Sequence, residues 1–426
     1  MFRKLLTLEL KKVRPKTKYF LVAFVREFGV TDPVQMSVKD LSHKLGVSTS
    51  EITKATNLLV ENDFFTPGEK SSVRGRPKWC YGCSAKLVEM LEQQQPICSQ
   101  HHESLVDEIF NSDSTQCKKI DVQSMQTSNK LLLAVMLAYA DECGVVRTLG
   151  RSDLRKLTGM SDDLLKAQRD KLLDMGFLRS GVAGATNRLL FGAGVGAYFL
   201  NMTKIQGEEV SQGILVSSDD LQPYRLVTAL YTQMKQYQQN AEWLVHRGLV
   251  QEVGMLDEDY KKLVSFFDDK PANGFKRFFA LKLNEYASYL LSKHWHNLSE
   301  DRLIDDEHLI ANIRRDVVPN SKKSCQTDCD IAEEWNTLVT FLYKLALMLA
   351  KDLCRKQVSL SKTIAFHKMN HVILPDIQNS GVAAVELHPK GGQKGPMTWC
   401  RAGLGEINEA DLDHKYLYGL LTRPRK

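Results

Sequence analysis

No apolar run in this sequence is long enough to cross a bilayer. The most apolar helix candidate, Leu338 to Ala350, is 13 residues long and contains Lys344, whereas a membrane-spanning helix needs about 20 apolar residues. The stretch from Met1 to Lys18 mixes leucines with charged residues, unlike the continuous apolar segment of a signal peptide. We therefore expect a chain that is neither membrane-anchored nor exported, and that stays in the cytoplasm.

Cysteines are few, and sequence motifs of catalysis are missing. The nine cysteines are scattered and odd in number, which argues against a disulfide framework and favours a reducing compartment. The sequence has no P-loop, no nucleophile elbow and no spaced carboxylate motif, and each of these patterns would have indicated a particular chemistry. We therefore expect that the protein is not an enzyme.

The composition is that of a folded protein with an uneven distribution of charge. Hydrophobic residues make up 43% and charged residues 25% of the sequence, which is the balance of a folded protein. The length of 426 residues predicts roughly two to four units, on a prior of about 150 residues per domain. Residues 1–88 carry 16 Lys and Arg against 8 Asp and Glu, so this segment is +8 and the remainder is −2. A localised positive surplus is typical of a phosphate-backbone binder, although a solvated basic face has the same composition.

The first ninety residues predict a helix, a second helix, a tight turn, a third helix, a hairpin and a closing helix. Apolar residues recur at helical spacing from Lys18 to Phe28, a short helix is predicted from Ser37 to Leu45, and Gly46 begins the turn. Ser48 and Glu51 form a capping-box pattern at the start of the third helix, with the glutamate reaching back to the cap. The hairpin is predicted from Phe64 and Phe65 to Trp79–Tyr81, and the closing helix from Ala85 to Gln94.

The same pattern recurs 113 residues later. The matched pairs are Asp40 and Asp153, Leu41 and Leu154, Gly46 and Gly159, Ser48 and Ser161, Leu59 and Leu172, and Phe64 and Phe177. A Gly-rich loop from Arg179 to Arg188 takes the place of the hairpin loop. Self-similarity at this distance indicates two tandem domains of one fold.

This order of elements resembles the winged helix-turn-helix superfamily that includes MarR-like bacterial regulators, and the resemblance covers about a fifth of the chain. We therefore predict a mainly α protein with small β-hairpin wings, in which two tandem winged-helix domains precede a helical C-terminal domain. The predicted boundaries are 1–94 for the first winged helix, 95–127 for a linker with one short helix, 128–206 for the second winged helix, 207–374 for the helical domain and 375–426 for an irregular segment.

The resemblance places the third helix in the major groove of DNA, which displays a distinct donor and acceptor pattern for each base pair. Its predicted outward residues are Thr49, Ser50, Thr53, Lys54, Thr56 and Asn57. The hairpin loop contains Arg74, Gly75, Arg76, Pro77 and Lys78, and Arg-Gly-Arg-Pro is the core of an AT-hook that enters a narrow minor groove. The predicted DNA contacts are Lys16, Lys18, Thr49, Ser50, Thr53, Lys54, Asn57, Arg74, Arg76 and Lys78.

The second copy departs from this pattern because its third helix opens with Asp162 and Asp163, which would repel phosphates. Secondary contacts are predicted at Lys166, Arg169, Arg179 and Arg188, and packing or dimerisation is the alternative role of this copy. No cofactor is expected. A zinc site is the alternative, because Cys80, Cys83, Cys98 and His101 have the spacing of tetrahedral zinc ligands.

These observations predict a nucleoid-associated transcriptional regulator that reads double-stranded DNA with one helix and one wing. A plasmid or phage replication initiator is an alternative, because such proteins also carry tandem winged helices. A metal-binding enzyme or a protein-interaction module is a second alternative. The expected partners are DNA and a second copy of the chain bound through the helical C-terminal region, with no membrane.

Overall fold

The computed structural model divides the chain into two compact units, which are described separately. The described residues are 1–68, 79–94, 100–111, 125–187, 189–206, 212–217, 222–239, 249–267, 271–318, 329–360, 364–375, 382–391 and 399–402. Unit 1 comprises those within Met1–Arg179 and Phe199–Glu208, and unit 2 comprises those within Ser180–Tyr198 and Glu209–Leu421. None of the described helices is both long enough and apolar enough to span a membrane.

The described part of unit 1 is mostly helical. Its helices are α1 (Phe2–Thr7), α2 (Pro15–Phe28), α3 (Val38–Leu45), α4 (Thr49–Glu61), α5 (Ala85–Gln93), α6 (Glu103–Ile109), α7 (Thr127–Tyr139), α8 (Arg151–Thr158), α9 (Asp162–Asp174) and α10 (Met202–Gln206). The strands up to residue 200 are β1 (Val34–Met36), β2 (Phe65–Pro67), β3 (Trp79–Cys83), β4 (Val145–Val146), β5 (Leu178–Val182), β6 (Ala185–Asn187), β7 (Gly192–Gly194) and β8 (Ala197–Leu200). The predicted first, second, third and closing helices of the amino-terminal segment are therefore present.

The predicted repeat is visible in the element bounds. Helices α8 and α9 begin and end 113 residues after α3 and α4, residue for residue. Both turns use a left-handed glycine, Gly46 with φ 63° and Gly159 with φ 70°, and both following helices are capped by a serine, Ser48 and Ser161. The two sheets also correspond, since their strand orders are β1-β3-β2 and β4-β8-β5.

Helices α2 and α7 form the centre of unit 1 and pack against each other. Residues Leu131–Ala138 are all buried, so α7 has no polar face toward solvent over those two turns. The short helix predicted in the linker is α6, and it is packed rather than free: Phe110, which follows it, stacks on Tyr19 with ring centroids 5.0 Å apart. The two copies of the repeat therefore share one apolar core, and the hydrophobic effect stabilises it.

Unit 2 contains long helices and a four-stranded sheet. Its further elements are β9 (Gln212–Ser217), α11 (Pro223–Gln239), α12 (Leu249–Glu252), α13 (Asp257–Val264), α14 (Asn273–Ser299), α15 (Glu307–Val317), α16 (Cys329–Leu360), β10 (Met369–Leu374), β11 (Val382–Pro389) and β12 (Trp399–Ala402). Helices α14 and α16 pack together along their length. The strand order is β10-β11-β9-β12, antiparallel except for the parallel pair β12 and β9.

This sheet corrects the prediction of an irregular segment over 375–426, and it adds two strands to the helical domain predicted over 207–374. Strands β11 and β12 lie in the former range, and β9 and β10 lie in the latter. In β11 the residues Ala384, Val385 and Leu387 are buried, and so are Glu386 and His388 between and beside them. A strand buried on both faces shows no alternation of polar and apolar residues, which is why periodicity did not reveal it.

The hairpin β6–β7 belongs to unit 2 by its packing. Phe191, in the turn between the two strands, lies against Phe275, Phe278 and Phe279 of α14 at centroid distances of 6.3, 5.7 and 5.2 Å. A Cβ on Gly194 would lie 2.1 Å from the Phe278 ring, so only glycine fits there. The Gly-rich segment 179–188, predicted to take the place of the hairpin loop, contains most of β5 and all of β6 in its described part, and the β6–β7 hairpin is held against a helix.

A buried carboxylate organises the end of α14. His294 has non-helical backbone angles (φ −116°, ψ 27°) and kinks this helix, and its Nε2 lies 2.6 Å from Oδ2 of Asp306. Asp306 also accepts bonds from Lys293 Nζ at 3.0 Å, Tyr289 hydroxyl at 3.2 Å and the Leu309 backbone N–H at 2.8 Å. The side chain of Asp306 is only 3% exposed, so this network replaces its solvation.

Candidate nucleic-acid interface

Helix α4 has one polar, exposed face and one buried face. Ser48 caps the helix by accepting a bond from the Glu51 backbone N–H at 3.3 Å. Ile52, Ala55 and Leu59 are buried. The opposite face carries five exposed side chains, Thr49, Ser50, Thr53, Lys54 and Asn57. Because these positions follow helical periodicity, the structure brings all five predicted contacts of this helix onto a single surface.

Thr56 was expected on that surface and lies elsewhere. Its side chain is only 2% exposed, and its hydroxyl accepts a bond from Trp79 Nε1 at 3.2 Å and donates to the Ile52 carbonyl at 2.9 Å. Trp79 begins strand β3, so this bond ties the hairpin to α4. The buried threonine thus fixes the hairpin relative to the exposed helix face.

The hairpin itself is described only at its base. Strands β2 and β3 pair antiparallel, with Phe65 opposite Cys83 and Pro67 opposite Tyr81, and the Gly68 backbone N–H donates to the Cys80 carbonyl at 3.0 Å. The predicted wing contacts Arg74, Arg76 and Lys78 lie outside the described residues.

Lys16 lies next to the amino-terminal end of α4. Its side chain is exposed, and its ammonium forms an ion pair with the carboxylate of Glu51 in the first turn of that helix. The carboxylate predicted to complete a capping box is therefore paired with a lysine. An exposed ion pair of this kind contributes little stability, so Lys16 can exchange its partner for a phosphate at small cost.

Lys18 was predicted to contact DNA, and its position rules this out. The side chain is only 1% exposed, and its ammonium donates to the carbonyl of Leu8 at 2.7 Å and to the carbonyl of Leu157 at the end of α8. Burial lowers the pKa of Lys18 to about 7, and the nearby Glu9 carboxylate opposes that shift. Lys18 thus joins the two copies of the repeat internally, by satisfying a carbonyl that the end of a helix leaves free.

Lys18→Met is expected to change how stability depends on pH. Because the native pKa lies below the ordinary value of 10.5, the native state releases a proton between about pH 7 and 10.5 while the unfolded state keeps it. The wild type should therefore gain stability relative to Lys18→Met by up to about 1.4 kcal/mol per pH unit above pH 7. Urea unfolding from pH 6 to 9 measures this trend. Lys16→Met, at an exposed site, should leave the wild-type dependence unchanged, and a flat difference for Lys18→Met would contradict the assignment.

The secondary contacts predicted in the second copy separate into three groups. Lys166 is exposed on α9, and Arg169 is half-buried and pairs with Asp170 at 3.1 Å. Arg179 is only 2% exposed and donates to the side-chain oxygen of Asn201 at 2.9 Å, so it is a core residue and not a phosphate contact. Arg188 lies outside the described residues.

At the acidic start of α9, Asp162 is paired with arginines of α8, and Asp163 is exposed. Asp162 lies 2.7 Å from Arg151 and 2.9 Å from Arg155. The negative charge of Asp162 is favourable at the amino-terminal end of a helix, and its carboxylate holds two guanidinium groups beside it. The repulsion expected at this end of the second copy is reduced accordingly.

The predicted zinc ligands are only partly described. Cys80 and Cys83 are free thiols on β3, three positions apart and therefore on opposite faces of the strand. Burial raises the pKa of Cys83 to about 12, which disfavours the thiolate that binds zinc. His101 is exposed, and Cys98 lies outside the described residues. Within the described ranges, no group of three His, Cys, Asp or Glu side chains has the geometry of a metal site.

Comparison with known proteins adds no family to this description. No protein-family model matches the chain, and a search of curated proteins finds no relative.

Proposed function

We propose that the chain is a sequence-specific double-stranded DNA-binding protein that regulates transcription. The observation that carries this proposal is the exposed face of α4, where Thr49, Ser50, Thr53, Lys54 and Asn57 stand together above a buried apolar face. Hydroxyl, amide and ammonium groups on one helix face can bond base edges and phosphates in a major groove. Lys16 beside the start of α4 supplies a further cation for the backbone.

The architecture that we propose for residues 1–94 and 128–206 is the winged helix-turn-helix. The support is the element order of α2, β1, α3, α4, β2, β3 and its repetition in α7, β4, α8, α9, β5, β8. In that fold the second helix of the helix-turn-helix enters the major groove, which is α4 in the first copy. We further propose that Arg74, Arg76 and Lys78 bind the adjacent minor groove.

Substitutions on α4 and in the wing are expected to separate base recognition from backbone binding. Asn57→Ala should reduce the binding free energy for the selected site by about 1–3 kcal/mol and change that for unrelated duplexes little. Lys54→Ala should weaken binding to all duplexes. It should also lower the salt slope, which is the steepness of the fall of log K with log salt concentration, by about 0.9. Arg76→Ala should remove a preference for A·T-rich flanks. Fluorescence anisotropy with duplexes selected from a random library measures all three effects.

The matched control for Lys54→Ala is Lys235→Ala, because Lys235 is an exposed lysine of unit 2 on α11. This control should bind as the wild type does. If the full chain shows no affinity for duplex DNA even at low ionic strength, or if all variants bind like the control, the proposal is wrong.

Replication initiation at a plasmid or phage origin is a second candidate, and the tandem repeat of α3–α4 in α8–α9 favours it. Footprinting on genomic DNA distinguishes the two, because an initiator occupies iterated sites beside an origin and a regulator occupies one site beside a promoter. The homodimer predicted through residues 207–374 stays a prediction, and sedimentation of the full chain tests it.

A further inference from the structure

A basic groove lies in unit 1, and apart from Arg14, which the sequence suggested as a backbone contact, its residues were not among the predicted contacts. It has a volume of about 440 Å³ and is bordered by residues 9–14, between α1 and α2, and by α8 with the turn that follows it. Five exposed cations line it, Lys11, Lys12, Arg14, Arg155 and Lys156. We use the name basic groove for these five residues.

The two sides of the basic groove are held together by a close backbone contact. A Cβ on Gly159 would lie 2.2 Å from the carbonyl oxygen of Val13, so the chain at Val13 passes directly over the helix-turn of the second copy. Val13 itself is buried, and the Lys18 bond to Leu157 fixes the same pair of segments a few residues further on. The cations therefore project from a rigid frame, which lowers the cost of ordering them around a ligand.

The chemistry of the groove suits phosphate rather than a base or an apolar ligand. Its apolar members, Leu10, Val13 and Met160, are buried, so they offer no surface on which a ring could stack. Glu9 is the one carboxylate among the lining residues. Arg155 is exposed and pairs with Asp162, which also pairs with Arg151. Lys11 and Lys156 are exposed as well. A polyanion gains most from such a site, because each phosphate that a cation neutralises releases a counterion.

The groove is continuous along the chain with the proposed DNA-reading surface. Arg14 is the residue that precedes α2, and Lys16 in the first turn of α2 pairs with Glu51 in the first turn of α4. Lys12 and Lys16 are four positions apart, a separation of at most about 14 Å at full extension of the chain. A DNA strand carries one charge per roughly 3.4 Å of helix axis, so a stretch of about four phosphates would cover this distance.

We propose that the basic groove binds the phosphodiester backbone of the same duplex whose major groove α4 reads. This inference rests on the proposed function, and it assigns to the second copy of the repeat a backbone contact made by α8 instead of a base contact made by α9. The sequence signal was present in the run Lys11, Lys12, Val13, Arg14. Pairing that run with Arg155 and Lys156 required the fold.

The test compares two charge-matched double variants of the full chain on specific and unrelated duplexes. Lys11→Ser/Lys156→Ser should lower the salt slope by about 1.8 and weaken binding roughly ten- to sixty-fold at 0.1 M salt, equally for both duplexes. The control is Lys235→Ser/Lys261→Ser, which removes two exposed charges of unit 2 and should bind as the wild type does. Glu9→Gln should tighten binding about two- to fivefold, because a carboxylate near the phosphates is removed; damage to the fold would not produce a gain.

The outcomes distinguish the two proposals. If the wild type binds duplex DNA and the groove variant keeps the salt slope of the control, the groove inference is overturned and the proposed function stands. If the wild type binds no duplex, both are overturned. If inorganic tripolyphosphate binds the wild type and not the groove variant, while DNA affinity is the same for both, the groove takes a small polyphosphate and the duplex contact is overturned.

Discussion

Asp306→Asn is expected to lower the free energy of unfolding of unit 2 by about 3 kcal/mol or more at neutral pH. The carboxylate is buried and accepts bonds from His294, Lys293 and Tyr289 as well as from the Leu309 backbone. Removing one partner from a buried charged network leaves the other groups without compensation, which typically costs about 3–5 kcal/mol. Urea unfolding of the full chain, with hydrogen exchange to assign the transition to unit 2, measures the loss.

The difference between wild type and Asp306→Asn is also expected to depend on pH. Burial alone would raise the pKa of Asp306, but the hydrogen bonds from His294, the Leu309 N–H and Lys293 hold this pKa well below its usual range. The carboxylate therefore contributes its full stability above about pH 4, the ordinary pKa of an aspartate, and loses that contribution as the pH falls further. The wild-type advantage should shrink between pH 5 and pH 2.

Asp301→Asn is the control for this prediction. Asp301 pairs with Lys351 but its side chain is 77% exposed, and asparagine tolerates the positive φ of 52° at this position. We expect a loss below about 1 kcal/mol for this exposed pair. If the two substitutions had equal effects, Asp306 would not be the centre of the network.

Phe24→Ala is expected to cost unit 1 about 3–5 kcal/mol. Phe24 is 1% exposed and lies 5.0 Å from Phe65 and 5.7 Å from Trp79, measured between ring centroids. The substitution leaves a cavity between α2 and strands β2 and β3. Hydrogen exchange of peptides from α2 and α4 should report the loss.

Phe28→Ala, four residues further along the same helix, is the control for Phe24→Ala. Phe28 is only half-buried and its ring lies 5.1 Å from that of Phe24, so a smaller loss of about 1–2 kcal/mol is expected. Equal losses at the two positions would contradict the prediction that the packing of Phe24 against Phe65 and Trp79 stabilises unit 1 more than Phe28 does. Because the chain has two units, the two transitions must be followed separately.

Local signals predicted the elements of the two repeats well. The glycine turns and serine caps of α4 and α9 depend on bonds within a few residues, and Gly46, Ser48, Gly159 and Ser161 therefore identify them from the sequence alone. The exposed face of α4 follows from helical periodicity in the same way. Short-range regularity thus accounts for most of what could be predicted of the candidate interface.

The errors occurred where partners lie far apart along the chain. Lys18 donates a hydrogen bond to Leu157, which is 139 residues away, and Arg179 donates one to Asn201. These partners allow both side chains to be buried, and no local sequence pattern relates them to Lys18 or Arg179. Strand β11 pairs with β9, more than 160 residues earlier. A lysine or arginine in a sequence is presumed to face water, and only the fold shows that these two do not.

The assignment of the β6–β7 hairpin to unit 2 bears on how the chain is made. Phe191 packs on Phe275, Phe278 and Phe279, which leave the ribosome roughly eighty residues later. At about 5–20 residues per second, that delay is of the order of 4–20 s. During translation the aromatic side chain of Phe191 therefore stays uncovered until Phe275, Phe278 and Phe279 have left the ribosome.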